Sequence, residues 1–369
     1  MLPTLKRAMA VAVAVLTTTA VLTPAQASIG SGDQSACATK AGVLYCWGAN
    51  LKGQLGLGDT ITRHAPTQVG TATNWTSVNG GFFHMCAIKS KTLWCWGQND
   101  YGELGQGTTS TAASSTTLRV GTAADWKQVS AGGSTTCGLR GKKLWCWGRN
   151  FNYMVGPTDL GTEVTTPTPI RRDVNWKHVS VGISHVCAIR TNKRLYCWGS
   201  NTWGAVGDGT TTVVSAPKRI GSSRWLDVGT GYGVTCGVKT NKTGWCWGYG
   251  GSGHLTGSYD NALTPRQVPG TWRTIHIGQT ATCGIKRDRS LWCWGSNNAG
   301  QLGNGTTISS LTPVHVALPA GAKSVSLGFH HTCAETMTRE VYCWGSDSTG
   351  QIGNGTATST QVLTPTRVL

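Results

Sequence analysis

Charged side chains are scarce in this 369-residue chain, since only 13% of its residues are Asp, Glu, Lys or Arg. Globular proteins carry about a quarter, and long amphipathic helices need Glu and Lys to solvate their outer faces. A mainly helical fold is therefore not expected. Acids are the scarcest group, because 15 Asp and Glu stand against 32 Lys and Arg and the formal net charge is +17.

Long apolar segments are also missing beyond the N-terminus. Residues 1–27 contain Lys6-Arg7, an apolar run from Ala8 to Val15 that continues more weakly, and Ala25-Gln26-Ala27. This order is typical of a cleavable export signal. A membrane anchor is the alternative, but threonines and a proline interrupt the run. No later segment approaches the length of about 20 apolar residues that a helix needs to span a bilayer. We expect a signal peptide over 1–27 and a secreted, extracellular chain over 28–369 with no membrane span.

What the chain does have is glycine, tryptophan and cysteine, with 51, 17 and 14 residues. Every second cysteine opens the triplet Cys-Trp-Gly, which recurs every 47–51 residues. Seven such units fill residues 28–369 and leave no room for a second domain. The cysteines form seven pairs, none left over: Cys37 with Cys46, Cys86 with Cys95, Cys137 with Cys146, Cys187 with Cys197, Cys236 with Cys246, Cys283 with Cys293, and Cys333 with Cys343.

Each unit contains four short strand-like segments bounded by turn residues. Pairing Cys86 with Cys95 leaves Ser90-Lys91 as a two-residue hairpin turn. Later units insert one residue, as in Thr191-Asn192-Lys193, where we expect Asn at a left-handed position. Alternation makes both faces of the hairpin apolar.

Sheets that are apolar on both faces must lie between two others. Seven such sheets satisfy all their faces by stacking around an axis, which predicts an all-β, seven-bladed β-propeller with four-stranded antiparallel blades and one disulfide-stapled hairpin per blade. An open solenoid is the alternative, but it needs polar terminal units, which neither end shows. From the alignment of Ser28-Ile29 with Ser77-Val78, we expect the C-terminal strand near 365–369 to complete the same blade as the N-terminal segment.

Paired cysteines in an exported chain indicate disulfides. Residues directly opposed in an antiparallel pair lie at a separation that a disulfide accepts. The competing interpretation is metal binding, because three units offer His-x-Cys, at His84 and Cys86, His185 and Cys187, and His331 and Cys333. A closed zinc site needs four ligands, and four of the units lack the His. We therefore predict fourteen disulfide-bonded cysteines, no metal and no cofactor.

The string Cys46-Trp-Gly-Ala-Asn-Leu-Lys-Gly-Gln-Leu-Gly-Leu-Gly58, its recurrence from Cys293 and the Gly-x-x-His bends at Gly81 and Gly182 resemble the repeat of the regulator of chromosome condensation family. The resemblance covers residues 28–369 and implies a seven-bladed propeller. The founding eukaryotic member is a nuclear nucleotide-exchange factor for a small GTPase, a partner that an export signal excludes. Exported, cysteine-paired bacterial-type members look like binding modules of varied purpose.

One secreted β-lactamase inhibitor of this fold binds its partner through the bends of its propeller. The segment Gly80-Gly-Phe-Phe-His84 is similar to those bends. The resemblance therefore implies a binding role for Phe82 and Phe83. The equivalent positions of the other units include Tyr232 and Phe329, but most are not aromatic.

Positions that break a repeat are not needed for the fold and are free for function. Sixteen of the 17 tryptophans have a place in the repeat, and Trp203 is the exception. Around it, aromatic residues occupy variable loop positions of adjacent units. The predicted binding patch, for a protein or a sugar partner, consists of Tyr101, Phe151, Tyr153, Trp203 and Tyr249 beside Arg149. The alternative is that each ring folds back over its own blade.

The turns between paired cysteines are strongly basic. They carry Lys89, Lys91, Arg140, Lys142, Lys143, Arg190, Lys193, Arg194, Lys239, Lys242, Lys286, Arg287 and Arg289, against Asp288, Glu335 and Glu340. A basic rim favours an anionic extracellular polymer as partner; the alternative is a set of merely solvated turns. The turns have no aromatic residue to stack on a base, so nucleic acid is expected only as a non-specific polyanion.

These features favour an exported, non-catalytic binding or inhibitor protein, expected as a monomer, that captures a protein or polymer on the loops of one propeller face. The alternative is an extracellular polysaccharide hydrolase or lyase with a site at the axis, where His254 and His276 are candidate members. No nucleophile or phosphate-binding motif is present.

Overall fold

The computed structural model describes residues 28–156 and 161–369, and these residues form an all-β molecule with one short 3-10 turn at Phe151–Tyr153. The signal peptide predicted over 1–27 lies outside the described residues. Among the described residues, no helix has the length and apolar character needed to cross a bilayer. The strands are β1 Ile29–Ser31, β2 Ser35–Lys40, β3 Val43–Gly48, β4 Arg63–Gln68, β5 Trp75–Gly80, β6 His84–Lys89, β7 Thr92–Asn99, β8 Ser110–Arg119, β9 Trp126–Gly132, β10 Thr135–Arg140, β11 Lys143–Arg149, β12 Glu163–Ile170, β13 Trp176–Val181, β14 His185–Arg190, β15 Leu195–Gly199, β16 Val214–Arg219, β17 Trp225–Thr230, β18 Val234–Lys239, β19 Thr243–Gly248, β20 Ala262–Ile277, β21 Ala281–Lys286, β22 Leu291–Gly295, β23 Ser310–Val316, β24 Ala322–Leu327, β25 His331–Thr336, β26 Val341–Gly345 and β27 Val362–Arg367.

Each blade consists of four consecutive antiparallel strands, which we call inner, second, third and outer. Blades 1 to 4 are β1–β4, β5–β8, β9–β12 and β13–β16, and blade 7 is β24–β27. The long strand β20 serves two blades: its first half is the outer strand of blade 5, and its second half is the inner strand of blade 6. The predicted seven-bladed propeller is confirmed.

The expectation for the chain ends is wrong. Strand β27 pairs with β26 as the outer strand of blade 7, and β1 pairs with β2 as the inner strand of blade 1. Every blade is continuous in sequence, because the segment that opens with Trp begins a blade and the Pro-containing segment ends it. The ring closes instead through contacts between complete blades. The Trp47 indole donates to the Gln351 carbonyl at 3.0 Å, and Ser31 N donates to Ser326 Oγ at 2.9 Å.

The hairpins have the predicted register. Cys86 lies opposite Cys95, and Ser90 and Lys91 both have positive φ, 46° and 62°, as a type I′ turn requires. In the three-residue turn of blade 4 the left-handed residue is Lys193, with φ of 67°, and not the predicted Asn192. Asn192 instead uses its side-chain oxygen to accept from the backbone N–H of Arg194.

All seven predicted cysteine pairs are disulfides, and no described cysteine is free. In each pair the two Cα atoms lie 4.0–4.1 Å apart, directly across the ladder between the second and third strands. The disulfides join Cys37 to Cys46, Cys86 to Cys95, Cys137 to Cys146, Cys187 to Cys197, Cys236 to Cys246, Cys283 to Cys293, and Cys333 to Cys343. Every disulfide therefore staples a hairpin within one blade, and the contacts between blades are non-covalent.

The disulfide face of each blade packs against the tryptophan face of the next. The Cys37–Cys46 disulfide of blade 1 clusters with Trp75 and Trp96 of blade 2. The closing interface repeats this arrangement, because the Cys333–Cys343 disulfide of blade 7 clusters with Trp47 of blade 1. Both faces of every blade are therefore buried, as the apolar pattern predicts.

The residue after the first cysteine of each pair is always Ala or Gly, and the packing explains why. In blades 2 to 6, which open with a tryptophan, that tryptophan lies over this position. A Cβ at Gly138 would come within 2.6 Å of the Trp126 ring, and one at Gly284 within 2.5 Å of the Trp272 ring. A larger side chain would displace the tryptophan from the core.

Antiparallel pairing sends the connections alternately to the two ends of the ring. The bends between inner and second strands and the long loops between third and outer strands lie on one end, which we call the loop face. The hairpin turns between paired cysteines and the connections from one blade to the next lie on the opposite end, the turn face. The inner strands surround an axial channel of about 800 Å³.

Candidate binding faces

Six of the seven long loops are organised by one buried side chain that follows Cys-Trp-Gly. In blade 4, Asn201 Oδ1 accepts from the Val206 N–H at 2.9 Å, and its Nδ2 donates to the Thr210 carbonyl at 2.9 Å. Blade 5 has Gly250 at this place. Sequence reasoning missed this role, although the repeated Asn after Cys-Trp-Gly was the available signal. The equivalent residues, each accepting from the N–H five positions ahead, are Asn50, Asn99, Asn150, Asn297 and Asp347.

The tryptophans of the Cys-Trp-Gly triplets fix the same loops from the other side. Each indole donates to a carbonyl in the long loop of the preceding blade, at 2.8–3.0 Å. Trp198 bonds to Met154, for example, and Trp247 bonds to Ala205. Every long loop is therefore hydrogen-bonded to the next blade across a blade boundary, and this bond fixes the position of the loop.

Trp203, the tryptophan outside the repeat, belongs to a three-ring cluster on the loop face. Its ring centroid lies 5.2 Å from that of Tyr232 and 5.0 Å from that of Tyr249. Trp203 comes from the long loop of blade 4, whereas both tyrosines belong to blade 5. Gly233 permits this contact, because it has φ of 65° and a Cβ there would lie 2.3 Å from the Trp203 ring. Tyr232 is 41% exposed, so the cluster is accessible.

A second cluster joins the long loops of blades 2 and 3. The Arg149 guanidinium lies over two rings, 4.8 Å from the Tyr101 centroid and 5.1 Å from that of Phe151. Arg149 is exposed, and Phe151 is 52% exposed. The following residues, Asn152 and Tyr153, both have positive φ, which is costly for a tyrosine.

The structure thus places the predicted aromatic residues on one face but in two clusters. Among the described residues, no ring contact joins the Trp203 cluster to the Arg149 cluster or attaches Tyr153 to either. Their role in binding stays a prediction.

The bends surround the loop-face end of the channel. Backbone hydrogen bonds join the bends of blades 1 and 2, 2 and 3, 4 and 5, and 7 and 1, as between Phe329 N and the Asp33 carbonyl at 3.2 Å. Phe82 lines the narrow channel mouth, and its neighbour Phe83 is 37% exposed. Phe329 is half-buried with its ring centroid 3.8 Å from that of His330. Of the predicted bend residues, Phe83 and Tyr232 are the most accessible.

Polar side chains of the channel mainly hold the blades together. Ser130 Oγ accepts from the N–H of Val181 in the next blade at 3.0 Å. His178 does the same, because its Nε2 lies 3.0 Å from the Val228 carbonyl of the next blade. The same nitrogen lies 3.6 Å from Asp227 Oδ1, and His276 lies near both side chains. Burial lowers the pKa of His276. Within the part of the chain that the structure describes, no three His, Cys, Asp or Glu residues are grouped so as to hold a metal ion.

The other singled-out histidines are internal. His254 does not line the channel as expected: it is fully buried and lies 2.9 Å from Thr282 Oγ1, and burial lowers its pKa to about 4. His84 lies 2.9 Å from the Thr136 hydroxyl of the next blade. The paired cysteines are disulfides, so the His-x-Cys motifs are not metal-ligand sets.

Glu103 lies beneath the Arg149 cluster. Its side chain is 1% exposed, and its Oε2 accepts from the Tyr101 N–H at 2.8 Å. Burial raises the pKa of Glu103 to about 7. Gln54 and Gln301 occupy the same position in other blades, where a neutral amide accepts the equivalent bond.

Charge is divided between the two faces. The turn face carries the basic and acidic turn residues already named and, in its connections, Arg171, Arg172 and Arg224 with the acids Asp125 and Asp173. Among the described residues, the cations of the loop face are Lys52, Arg63, Arg149 and Lys218. The described carboxylates of the loop face are Asp33, Asp59, Asp100, Glu103, Glu163, Asp208, Asp260 and Asp347.

Aromatic rings lie beside the turn-face cations, which the sequence analysis did not anticipate. The last cation of a second strand lies over the ring that precedes the next cysteine, as in Lys239 over Trp245 at 3.5 Å and Lys286 over Trp292 at 3.6 Å. The remaining pairs are Lys89–Trp94, Arg140–Trp145 and Arg190–Tyr196.

The molecule is a propeller of seven continuous blades whose long loops are held by hydrogen bonds at one end. Propellers of this class occur in binding and regulatory proteins. The chain belongs to the family of regulator of chromosome condensation (RCC1) propellers. The family model of the RCC1-like domain matches residues 90–369, and that of the RCC1 repeat matches residues 41–88.

Two curated relatives are similar over about half of the chain. The ultraviolet-B receptor UVR8 of Arabidopsis thaliana is 29% identical over 203 residues, which cover 53% of this chain and 46% of UVR8. The human E3 ubiquitin-protein ligase HERC2 is 28% identical over 192 residues, 50% of this chain and 4% of HERC2. The match therefore spans less than half the length of either relative.

Solved structures share the fold. Prp20p of Saccharomyces cerevisiae has a TM-score of 0.79 at 19% identity, with 92% of this chain and 86% of that chain covered. Human WBSCR16 has a TM-score of 0.78 at 18% identity, with 89% and 94% covered. The ectodomain of the Physcomitrella patens receptor kinase CR4 has a TM-score of 0.55 at 18% identity, with 87% and 72% covered.

Proposed function

We propose that this protein is an exported, non-catalytic binding or inhibitor protein that captures a protein partner on its loop face. The carrying observation is the pair of accessible clusters around Trp203 and Arg149. Trp, Tyr and Arg supply most of the binding energy in protein interfaces. Because the loops beneath them are held by buried Asn side chains and tryptophan indoles, little conformational entropy is lost on binding.

Export is supported by the cysteine chemistry and by the leader pattern. Seven disulfides persist in an oxidising compartment and are rare in the cytosol. The segment 1–27 has the charge, apolar run and cleavage site of an export signal. We therefore propose that the propeller acts outside the cell.

Protein capture is an activity that this fold has elsewhere. A solved structure shows Kap60 bound to yeast RCC1 (Prp20), and the report on Prp20p describes its binding to Gsp1p and histones. These partners belong to Prp20. For this chain, we propose a partner that meets aromatic rings and one guanidinium on a face otherwise rich in carboxylates.

The test compares two double variants with a matched control. Trp203→Ala with Tyr232→Ala removes one cluster, and Arg149→Ala with Phe151→Ala removes the other. Tyr259→Ala is the control, because Tyr259 is 56% exposed on a long loop of the same face. Partners recovered from culture fluid or cell-surface fractions by the immobilised mature protein are identified by mass spectrometry, and their Kd values are then measured with purified variants.

We expect at least one double variant to weaken the Kd by about tenfold or more, as truncation of hot-spot residues does. The control should bind as the wild type does. Wild-type Kd values for both double variants would show that the loop-face clusters do not capture the partner.

A further inference from the structure

The turn face has charges that its structural role does not require. In blade 1 the turn is Ala41-Gly42, and the Gly42 carbonyl accepts from the N–H of Trp75, the first residue of the next blade, at 2.9 Å. In blade 4 the Lys193 carbonyl makes the same bond to Trp225 at 2.7 Å. An uncharged turn therefore makes the same bond to the next blade, so this bond does not require the exposed cations Lys142, Arg172 and Arg224.

These charges follow a continuous arc over blades 3 to 5. Lys143 Nζ donates to the Arg172 carbonyl at 2.8 Å, which fixes the turn of blade 3 beside the connection to blade 4. An Arg194 nitrogen donates to the Ser223 carbonyl at 3.4 Å, which places the next turn beside Arg224. Lys142, Arg172 and Arg224 are exposed along this arc.

The polarity of the molecule makes the arc selective for anions. Ion pairs neutralise Arg63 with Asp59 and Lys218 with Asp208 on the loop face, each at 2.6 Å. On the turn face, Arg140 pairs with Asp125 at 3.2 Å and Arg171 with Asp173 at 2.9 Å. Among the described residues, no ion pair involves Lys142, Arg172 or Arg224 on the turn face. Positive potential is therefore concentrated at one end of the propeller.

We propose that the turn face is a second binding surface, independent of the loop-face site, and that it takes a linear anionic polysaccharide with repeated sulfate or carboxylate groups. An arc of cations on short turns matches a flexible chain with charges along its length. Two- and three-residue turns do not protrude far enough to enter a nucleic-acid groove.

The aromatic rings of this face argue against nucleic acid as the occupant. A single strand gains its affinity from bases that stack on free ring faces. Here a cation of the same blade already covers a ring face, as in Lys239 over Trp245 and Arg190 over Tyr196. The face is therefore suited to recognise charge and not bases.

The test uses two triple variants of equal net charge. The turn-face variant is Lys142→Gln, Arg172→Gln and Arg224→Gln, and the loop-face control is Lys52→Gln, Arg63→Gln and Lys218→Gln. Binding of heparin, polygalacturonate, neutral dextran and a 20-mer of single-stranded DNA is measured by calorimetry at several salt concentrations. Thermal unfolding of both variants verifies that they are folded.

We expect the mature protein to bind heparin or polygalacturonate with a Kd that rises steeply with salt, and to bind neither dextran nor DNA comparably. The turn-face variant should lose about tenfold or more in affinity with a smaller salt dependence, while the control changes by less than about twofold. Equal losses in both variants would mean that only net charge matters, and no loss in either would remove the turn face from the interaction. DNA binding as tight as heparin binding would overturn the polysaccharide assignment. If the Trp203 and Arg149 double variants still bind heparin, the turn face is a separate surface from the loop-face site.

Discussion

Glu103 is a titrating carboxyl at a position where blades 1, 6 and 7 have glutamine. Its pKa of about 7 in the fold lies above the ordinary value of 4.5, so the fold favours the protonated form. The stability contributed by this preference is complete below pH 4.5 and is lost as the pH rises through 7. The Glu103 carboxyl, which lies directly beneath Tyr101, therefore destabilises the fold at alkaline pH.

We expect Glu103→Gln to raise the free energy of unfolding at pH 8.5 by about 2–3 kcal/mol, and to change it little near pH 4.5. The amide keeps the bond to the Tyr101 N–H and cannot ionise. Urea unfolding at the two pH values measures the difference. The converse variant, Gln54→Glu, should destabilise blade 1 only at the higher pH; a pH-independent effect of either variant would contradict the assigned pKa.

At the scale of single elements, regular parts of the sequence were predictable and side-chain choices within them were not. The register of Cys86 with Cys95 and the turn at Ser90-Lys91 follow from pair spacing alone. Asn192 was expected to take the left-handed conformation because Asn tolerates it, but its side chain caps the turn and Lys193 takes that conformation instead. The two clusters could not be separated in advance either, because ring contacts depend on how each loop crosses its blade boundary.

The long loops give a prediction for a residue that the sequence analysis overlooked. Asn201→Ala removes the donor to the Thr210 carbonyl and the acceptor for the Val206 N–H, and leaves that buried N–H unpaired. We expect a loss of about 2–3 kcal/mol in the free energy of unfolding, measured by urea unfolding. Asn201→Asp is the matched variant, since blade 7 uses Asp347 in this role; it should keep the acceptor and lose less. Wild-type stability of the alanine variant would show that the loop holds itself.

At the scale of the whole molecule, the blade count was predictable and the closure was not. Seven cysteine pairs and the Cys-Trp-Gly period specify seven sheets. Where one sheet ends and the next begins depends on which strands form hydrogen bonds with each other. The period of a repeated sequence does not specify which of its segments comes first in a blade. Because each blade is one continuous segment, blades 7 and 1 meet through the same packing as any other pair, with Trp47 bonded to Gln351.

Continuous blades predict that the chain can begin at any blade boundary without loss of the fold. A circular permutant that begins at residue 222, in the connection between blades 4 and 5, and joins residue 369 to residue 28 through about ten flexible residues keeps every strand ladder within one segment. This permutant moves the break in the chain from the boundary between blades 7 and 1 to the boundary between blades 4 and 5. We therefore expect all seven disulfides to form and the Tm to stay within about 5 °C of the wild type. A permutant that begins at residue 212 is the matched comparison, because it separates the outer strand Val214–Arg219 from its own blade, and it should melt clearly lower. Equal Tm values for the two permutants, measured by calorimetry, would show that the blade is not the cooperative unit of this propeller.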